Sequence, residues 1–495
     1  MAASPIRRFR QPAVTATIAT ARLELGLFAL VLGVGLLALR TDFGYDGQMM
    51  YKVTESLALR HSFQVQDPAW HANEPYAYFG LGVSLLLLPF YGLGSLLTGD
   101  GSRLIVLYGP LITALTAVVL FRLLRELGAP ASRAVAIALI FAYGTLAWHY
   151  SSTIFSEPLV ALGMTAAIYW LRVYQRDPRR RWLLAAGVAS ALTVLARWDS
   201  ALLIVVPLGV YAVYVVMRAR RLSPAVAGLF TFGAPLAAAL AANLWYDWLR
   251  YGNVFTITTK NALEGSFTTP LWTGLYGLLF SPGAGLIIYV PVLLASAVSL
   301  RGFYRQARPE ALLLLSLLAL RLLFYARWSS WDGREWGPRY LLPLLPVLLV
   351  PLICLPAQRW IRIGTAALAA VGIGVELLGQ LVPYNTTVWP TTAPLVVSTL
   401  QLHDAAGSTC LCSWFVDAAA STAMDFDIHF APLTRQVTLL LQGTVDPSWS
   451  AAWPTRGFLL ALAGALAFLL WRLARRTWYP QAESNRRSGL ERAVS

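Results

Sequence analysis

Two acidic residues stand where apolar segments give way to polar loops. Asp46 lies in "FGYDGQMMYK", residues 43–52, just after the apolar run Leu25–Leu39 and among Tyr45, Met49, Met50 and Tyr51. Glu157 lies in "HYSSTIFSEP", 149–158, directly before Pro158. Aromatic and methionine side chains can hold a carboxylate at a hydrocarbon boundary. There it can take a proton from a hydroxyl arriving through water while a lipid-borne partner approaches from the membrane. That is the work of a general base, with Asp46 the candidate for it and Glu157 a second acid beside it that could position an acceptor or a metal. The competing readings are a solvated interfacial aspartate and a glutamate that favours the N-terminus of the helix opened by Pro158.

A third stretch, "RWSSWDGREWGPRY" at 327–340, brings Arg327, Arg334 and Arg339 together with Trp328, Trp331 and Trp336. Guanidinium groups meet two phosphate oxygens at once, and tryptophans anchor at membrane interfaces. Arg334 and Arg339 are the candidates for gripping a phosphate: Gly333 and Gly337 leave room for close approach, and Pro338 stiffens the turn. Lys260, in another loop, adds a point charge. Alternatively, Asp332 and Glu335 neutralise these arginines. In "RWDS", 197–200, Arg197 and Asp199 read as a local ion pair. Arg321 and Glu376 fall inside apolar runs at similar depth, where a lone charge costs about 2.5–3.5 kcal/mol. They are expected to pair directly or to make separate contacts with an aqueous cavity.

The elements that position these groups follow from composition. The chain has 495 residues, 57% hydrophobic and 13% charged, against roughly 25% charged in soluble domains. Repeated apolar runs of about twenty residues make it a polytopic, all-α membrane protein. The net charge of +15 does not describe a nucleic-acid groove, because arginines cluster in short connections such as 176–181, 218–221 and 301–308. That is the positive-inside pattern. Three cysteines, Cys354, Cys410 and Cys412, give neither a disulfide framework nor a metal site.

Placing the basic clusters in the cytosol gives about twelve spans: 24–40, 104–124, 132–148, 158–172, 182–196, 201–217, 225–247, 283–300, 310–326, 340–356, 363–383 and 457–474. Both termini are then cytosolic, and long exterior loops fall at 41–103, 248–282 and 384–456. The apolar stretch 79–97 would invert this arrangement if it crossed. With Pro89 and several glycines, it is expected to be a bent, re-entrant or interface-lying segment of the first exterior loop. The division is a membrane-embedded module at 1–383, an exterior region of unknown fold at 384–456, and a last span with a basic cytosolic tail at 457–495.

In "GYDGQMMY", "YFGLGVSLLLLPFYGLG", "IFSEPLVALG", "LLFSPGAGLIIYVPVLL" and "WGPRYLLPLLPVLL", in that order, the chain resembles the GT-C class of membrane glycosyltransferases. The likeness is to the family-39-like branch, which includes protein mannosyltransferases and aminoarabinose transferases. It implies transfer of a sugar from a polyprenyl-phosphate donor to a lipid, glycan or protein acceptor at the exterior face of a bacterial plasma membrane. It also implies that Asp46 matches the first-loop catalytic aspartate and that Glu157 falls where relatives carry a second acid. A divalent metal assists several relatives, and for this chain a metal cofactor stays open. Two rivals remain: a twelve-span transporter, and a polymerase or ligase of lipid-linked glycans.

Overall fold

The structure, a computed structural model, describes residues 14–39, 43–65, 75–219, 222–254, 266–333, 335–382, 402–403, 409–410, 425–429 and 431–443, with isolated positions between 457 and 472. The apolar runs form helices. These are α1 (Val14–Leu37), α2 (Gly44–Arg60), α3 (Leu81–Thr98), α4 (Tyr108–Glu126), α5 (Ala131–Tyr143), α6 (Ala147–Ser151), α7 (Ser156–Arg176), α8 (Arg180–Ala196), α9 (Val206–Ala219) and α10 (Leu222–Tyr251). After them come α11 (Leu271–Phe280), α12 (Leu286–Tyr289), α13 (Leu293–Gln306), α14 (Arg308–Arg327), α15 (Leu345–Leu348), α16 (Arg359–Leu381) and α17 (Pro432–Leu441). A two-residue strand pair, Leu402–His403 against Thr409–Cys410, is the sole ladder among the described residues.

Seven helices among the described residues are long and apolar enough to cross a membrane. Several expected spans are not uninterrupted α-helices, and proline accounts for two of them. The stretch 283–300 breaks into α12 and α13 around Pro291. The stretch 340–356 is largely 3-10, Arg339–Leu344 and Val350–Cys354 flanking the single turn of α15. Pro343, Pro346 and Pro351 each lack the N–H that an i→i−4 bond requires. The expected span 132–148 stops at Tyr143 and resumes as the short α6. The last expected span, 457–474, lies mostly outside the described residues.

The segment 79–97, expected to be bent, re-entrant or interface-lying, forms one continuous helix, α3, with Pro89 inside it. Its start and the chain that returns from it lie at one end of the bundle. Gly80 and Gly82 press against the backbone of Leu195 and Ala196, leaving no room for a side chain. These residues are the C-terminus of α8. After α3 the chain reverses at Gly99, which takes a left-handed φ of 74°, and runs through a seven-residue 3-10 helix, Gly101–Leu107. It reaches Tyr108, whose hydroxyl donates to the Phe155 carbonyl at 2.9 Å beside the N-terminus of α7. The Glu157–Arg197 pair holds the α7 start and the α8 end together. The 3-10 helix covers about 14 Å, whereas the 18 residues of α3 cover about 27 Å. A helix running straight to the far side could not be brought back by so short a return.

Small residues set the helix spacing at the centre. A Cβ on Gly163 of α7 would lie 2.6 Å from the Ala189 carbonyl of α8. Such stripes let membrane helices approach backbone to backbone.

Candidate functional site

Asp46 occupies the first turn of α2, where unpaired backbone amides favour an acid. The following glycine fixes where that turn sits: a Cβ on Gly47 would lie 2.7 Å from the Ile154 carbonyl. The start of α2 therefore seats on the extended Ile154–Phe155 segment that leads into α7. Glu157 lies in the first turn of α7. The two acids thus come from the starts of neighbouring helices, at the end of the bundle where α3 begins and returns.

The arginine turn arrives at the same place. Arg339 Nη1 donates to Asp46 Oδ2 at 2.8 Å, and its guanidinium stands 5.3 Å from the Phe155 ring and 5.1 Å from the Tyr340 ring. Gly333 adopts a φ of 74° and lies beneath the Arg339 side chain, where a Cβ would come within 2.7 Å of its Cγ. The room that the glycine was expected to leave is filled by the arginine itself. Its ion-pair partner at 2.8 Å is Asp46, a pairing across the whole bundle, and the charge of Glu335 also acts on it. Arg334 and Lys260 lie outside the described residues.

Glu157 accepts from Arg197 Nη1 at 2.6 Å, and Arg197 Nε donates to Asp199 Oδ1 at 3.0 Å. The local Arg197–Asp199 pair is therefore present, but it belongs to something larger. Tyr325 donates from its hydroxyl to Asp199 Oδ2 at 2.6 Å, and Arg321 Nη2 lies 3.4 Å from the same oxygen. Tyr325 stacks on Tyr340 with ring centroids 4.2 Å apart and planes at 8°. Arg321 Nε donates to the Tyr340 carbonyl. Three arginines (Arg197, Arg321, Arg339) and three carboxylates (Asp46, Glu157, Asp199) thus interleave around two tyrosines. Burial pushes the Asp199 carboxyl up, but Arg197, Arg321 and the Tyr325 hydroxyl outweigh it and hold it at about 2.

Arg321 and Glu376 do not pair with each other. Arg321 joins the cluster through Asp199, and Glu376 accepts from the Trp336 indole at 3.2 Å. Sequence reading missed Tyr325 and Tyr340 altogether and took Arg197 and Asp199 as merely local. The usable signal was an arginine and an acid at the mouth of α8, beside an arginine inside a neighbouring span.

The cluster retains donor capacity. Arg339 Nε and both Arg321 Nη atoms are buried with no hydrogen-bond acceptor. Buried donors of this kind call for an anion or a water, and a phosphate oxygen suits a guanidinium. The donor set suits a cation less well. Each of the three acids is held by an arginine, and among the described residues no three His, Cys, Asp or Glu side chains gather as a metal set.

Residues 107–259 match the family described as dolichyl-phosphate-mannose-protein mannosyltransferase. The match includes Glu157, Arg197 and Asp199, and leaves Asp46 and Arg339 outside. Among solved structures, ArnT from Cupriavidus metallidurans in the apo state superposes with a TM-score of 0.51 at 17% identity, covering 93% of this chain and 78% of that one. The chain has the GT-C glycosyltransferase fold. The same enzyme bound to undecaprenyl phosphate gives a TM-score of 0.50 at 16% identity, over 94% of this chain and 78% of that one. The arabinosyltransferase EmbB from Mycobacterium smegmatis gives 0.48 at 14% identity, over 96% of this chain and 42% of that one. No curated protein sequence gives a significant match.

Proposed function

We propose that this protein transfers a sugar from a polyprenyl-phosphate donor to an acceptor hydroxyl at the exterior face of a bacterial plasma membrane, with Asp46 as general base. The observation that carries this reading is the 2.8 Å Asp46–Arg339 pair. It couples a group able to accept a proton with a group able to bind phosphate. The family match and the fold likeness support the class of donor, since one similar structure is a complex with undecaprenyl phosphate.

In this reaction the acceptor oxygen attacks the anomeric carbon of the sugar, and the bond from that carbon to the phosphate oxygen breaks. Polyprenyl phosphate leaves with the electron pair, and the acceptor proton passes to the Asp46 carboxylate. Arg339 serves both ends of the event. Its Nη1 holds Asp46 before the donor arrives, and its Nε is an unused donor for a phosphate oxygen. As charge builds on the departing phosphate, the guanidinium shifts its interaction from carboxylate to phosphate and leaves Asp46 freer to accept the proton. Arg334 and Lys260 are proposed to add to the phosphate grip. Glu157, locked to Arg197, orients the second half of the cluster rather than receiving the proton.

The test is direct. Protein purified in detergent is given a mixed pool of labelled polyprenyl-phosphate sugars and cell-envelope acceptors. The expected result is a labelled acceptor together with free polyprenyl phosphate. Label that crosses a proteoliposome membrane unchanged, without release of polyprenyl phosphate, would replace the enzyme with a carrier. A transferred chain of many sugars would instead identify a polymerase or ligase.

A further inference from the structure

Glu376 is fully buried in α16, and the cluster of arginines and acids does not use it. Its Oε2 accepts the Trp336 indole N–H at 3.2 Å, and the His149 backbone N–H also faces the carboxyl. Trp336 is itself fully buried. The Tyr289 ring meets it edge-on with centroids 5.0 Å apart, and His149 stacks against it at 5.5 Å. The Tyr150 hydroxyl donates to its carbonyl at 2.9 Å. Gly379, one turn beyond Glu376, has no room for a Cβ, which would lie 2.7 Å from the indole. The next residue of the turn, Gly337, takes a φ of 61° and presses against Leu146 and Tyr289.

Trp336 is therefore a plug that fixes the turn from beneath. Two residues after Gly337 the chain delivers Arg339 to Asp46. A carboxylate at such depth is costly unless something is gained from it. Here the gain is an acceptor for an indole N–H that burial would otherwise leave unsatisfied. We propose that Glu376 is a positioning residue for the phosphate-gripping end of the site, acting through Trp336 on Arg339. This inference rests on the proposed donor reading and extends it to a residue that touches neither donor nor acceptor.

The role requires an acceptor at Glu376 and a donor at Trp336, and it does not require a negative charge. Glu376→Gln keeps an acceptor oxygen and should behave like wild type. Glu376→Leu strands the indole N–H, and Trp336→Phe removes that N–H while keeping a ring in the plug. Both should raise the donor KM by about tenfold, the scale of one buried hydrogen bond. Their kcat at saturating donor should change by less than about threefold, and the acceptor KM should hold. The double variant should be no worse than the poorer single variant, because both changes remove one bond. Thermal unfolding of the same purified proteins in detergent, without substrate, gives a second cycle that reads the bond independently of activity. Additive losses in both cycles overturn the proposal, and so does a Glu376→Gln protein as impaired as Glu376→Leu. If Glu376→Leu does not fold, Trp336→Phe and Glu376→Gln still decide: an unchanged donor KM for Trp336→Phe rejects it. Failure of wild-type protein to use any lipid-phosphate sugar, with the stability cycle intact, would instead sink the donor reading and leave the bond standing.

Discussion

Arg339 Nη1 lies 2.8 Å from Asp46 Oδ2, across 293 residues of sequence. The contact joins the first turn of α2 to the end of the tryptophan-rich turn, and both groups are buried. A buried pair is not strong evidence of stability, because removing two charges from water offsets most of their attraction. Its value here is geometric. It sets a carboxylate and a guanidinium at a fixed separation beside the Phe155 ring.

Asp46→Asn keeps the size and polarity of the side chain and can still accept from Arg339, but it loses the basic oxygen. Turnover should fall by roughly 10²–10⁴-fold, the usual contribution of a general base, while the detergent-solubilised protein keeps its unfolding temperature. Donor binding, followed separately with a non-transferable analogue, should persist. A well-folded Asp46→Asn protein with near-normal turnover would return Asp46 to an interfacial structural role.

Arg339→Lys separates charge from fork. Lysine carries the same charge on a single nitrogen and cannot present two parallel N–H groups to two oxygens. The donor KM should rise by about tenfold or more at equal folded protein, since charge-assisted hydrogen bonds are worth roughly 1.5–3 kcal/mol. Donor-dependence curves that overlay wild type would reject Arg339 as a phosphate ligand.

Much of this was legible in the sequence because it depends on composition and local chemistry. The apolar runs, the acids at the heads of α2 and α7, and the glycines of the arginine turn are local signals. The structure turns each of them into a helix, a first-turn acid or a left-handed φ. Partnership was not legible. Nothing near Arg339 in sequence indicates that it reaches Asp46, 293 residues away. That choice is made by the seating of Gly47 on Ile154, a tertiary contact. The same holds for Arg321, whose depth matched Glu376 but whose rotation about α14 faces Asp199. Depth along a helix can be counted from the sequence, whereas facing depends on packing.

Asp199 makes a pH prediction of definite sign. Its folded carboxyl sits at about 2, below the roughly 3.9 of an unfolded aspartate. The stability it adds, on the order of 2 kcal/mol, is fully present above pH about 4 and drains away as pH falls through about 2. Asp199→Asn lacks this proton linkage, so the difference in unfolding temperature between the two proteins should be constant from pH 5 to 8 and shrink below about 4. A difference that grew on acidification would mean that Arg197 and Arg321 do not hold the carboxylate charged.

The topology is open to labelling, and α3 is the discriminating element. It is long and apolar enough to span, yet its first residues seat on the end of α8 and the chain is back beside Phe155 by Tyr108. A return of about 14 Å is short against a crossing of about 30 Å, so α3 is expected not to cross. Single cysteines introduced at Leu57 and Ser102, after replacement of the native cysteines, should therefore both react with a membrane-impermeant maleimide in intact cells. A cysteine at Arg180 should react only after the membrane is opened. If Ser102→Cys were protected in intact cells while Leu57→Cys reacted, α3 would cross. Every later helix would then invert, carrying Arg180 to the exterior. Reaction at Leu57 and Ser102 with protection at Arg180 places the Asp46–Arg339 pair, at the opposite end of the bundle from Arg180, at the exterior surface that a lipid-linked donor would reach.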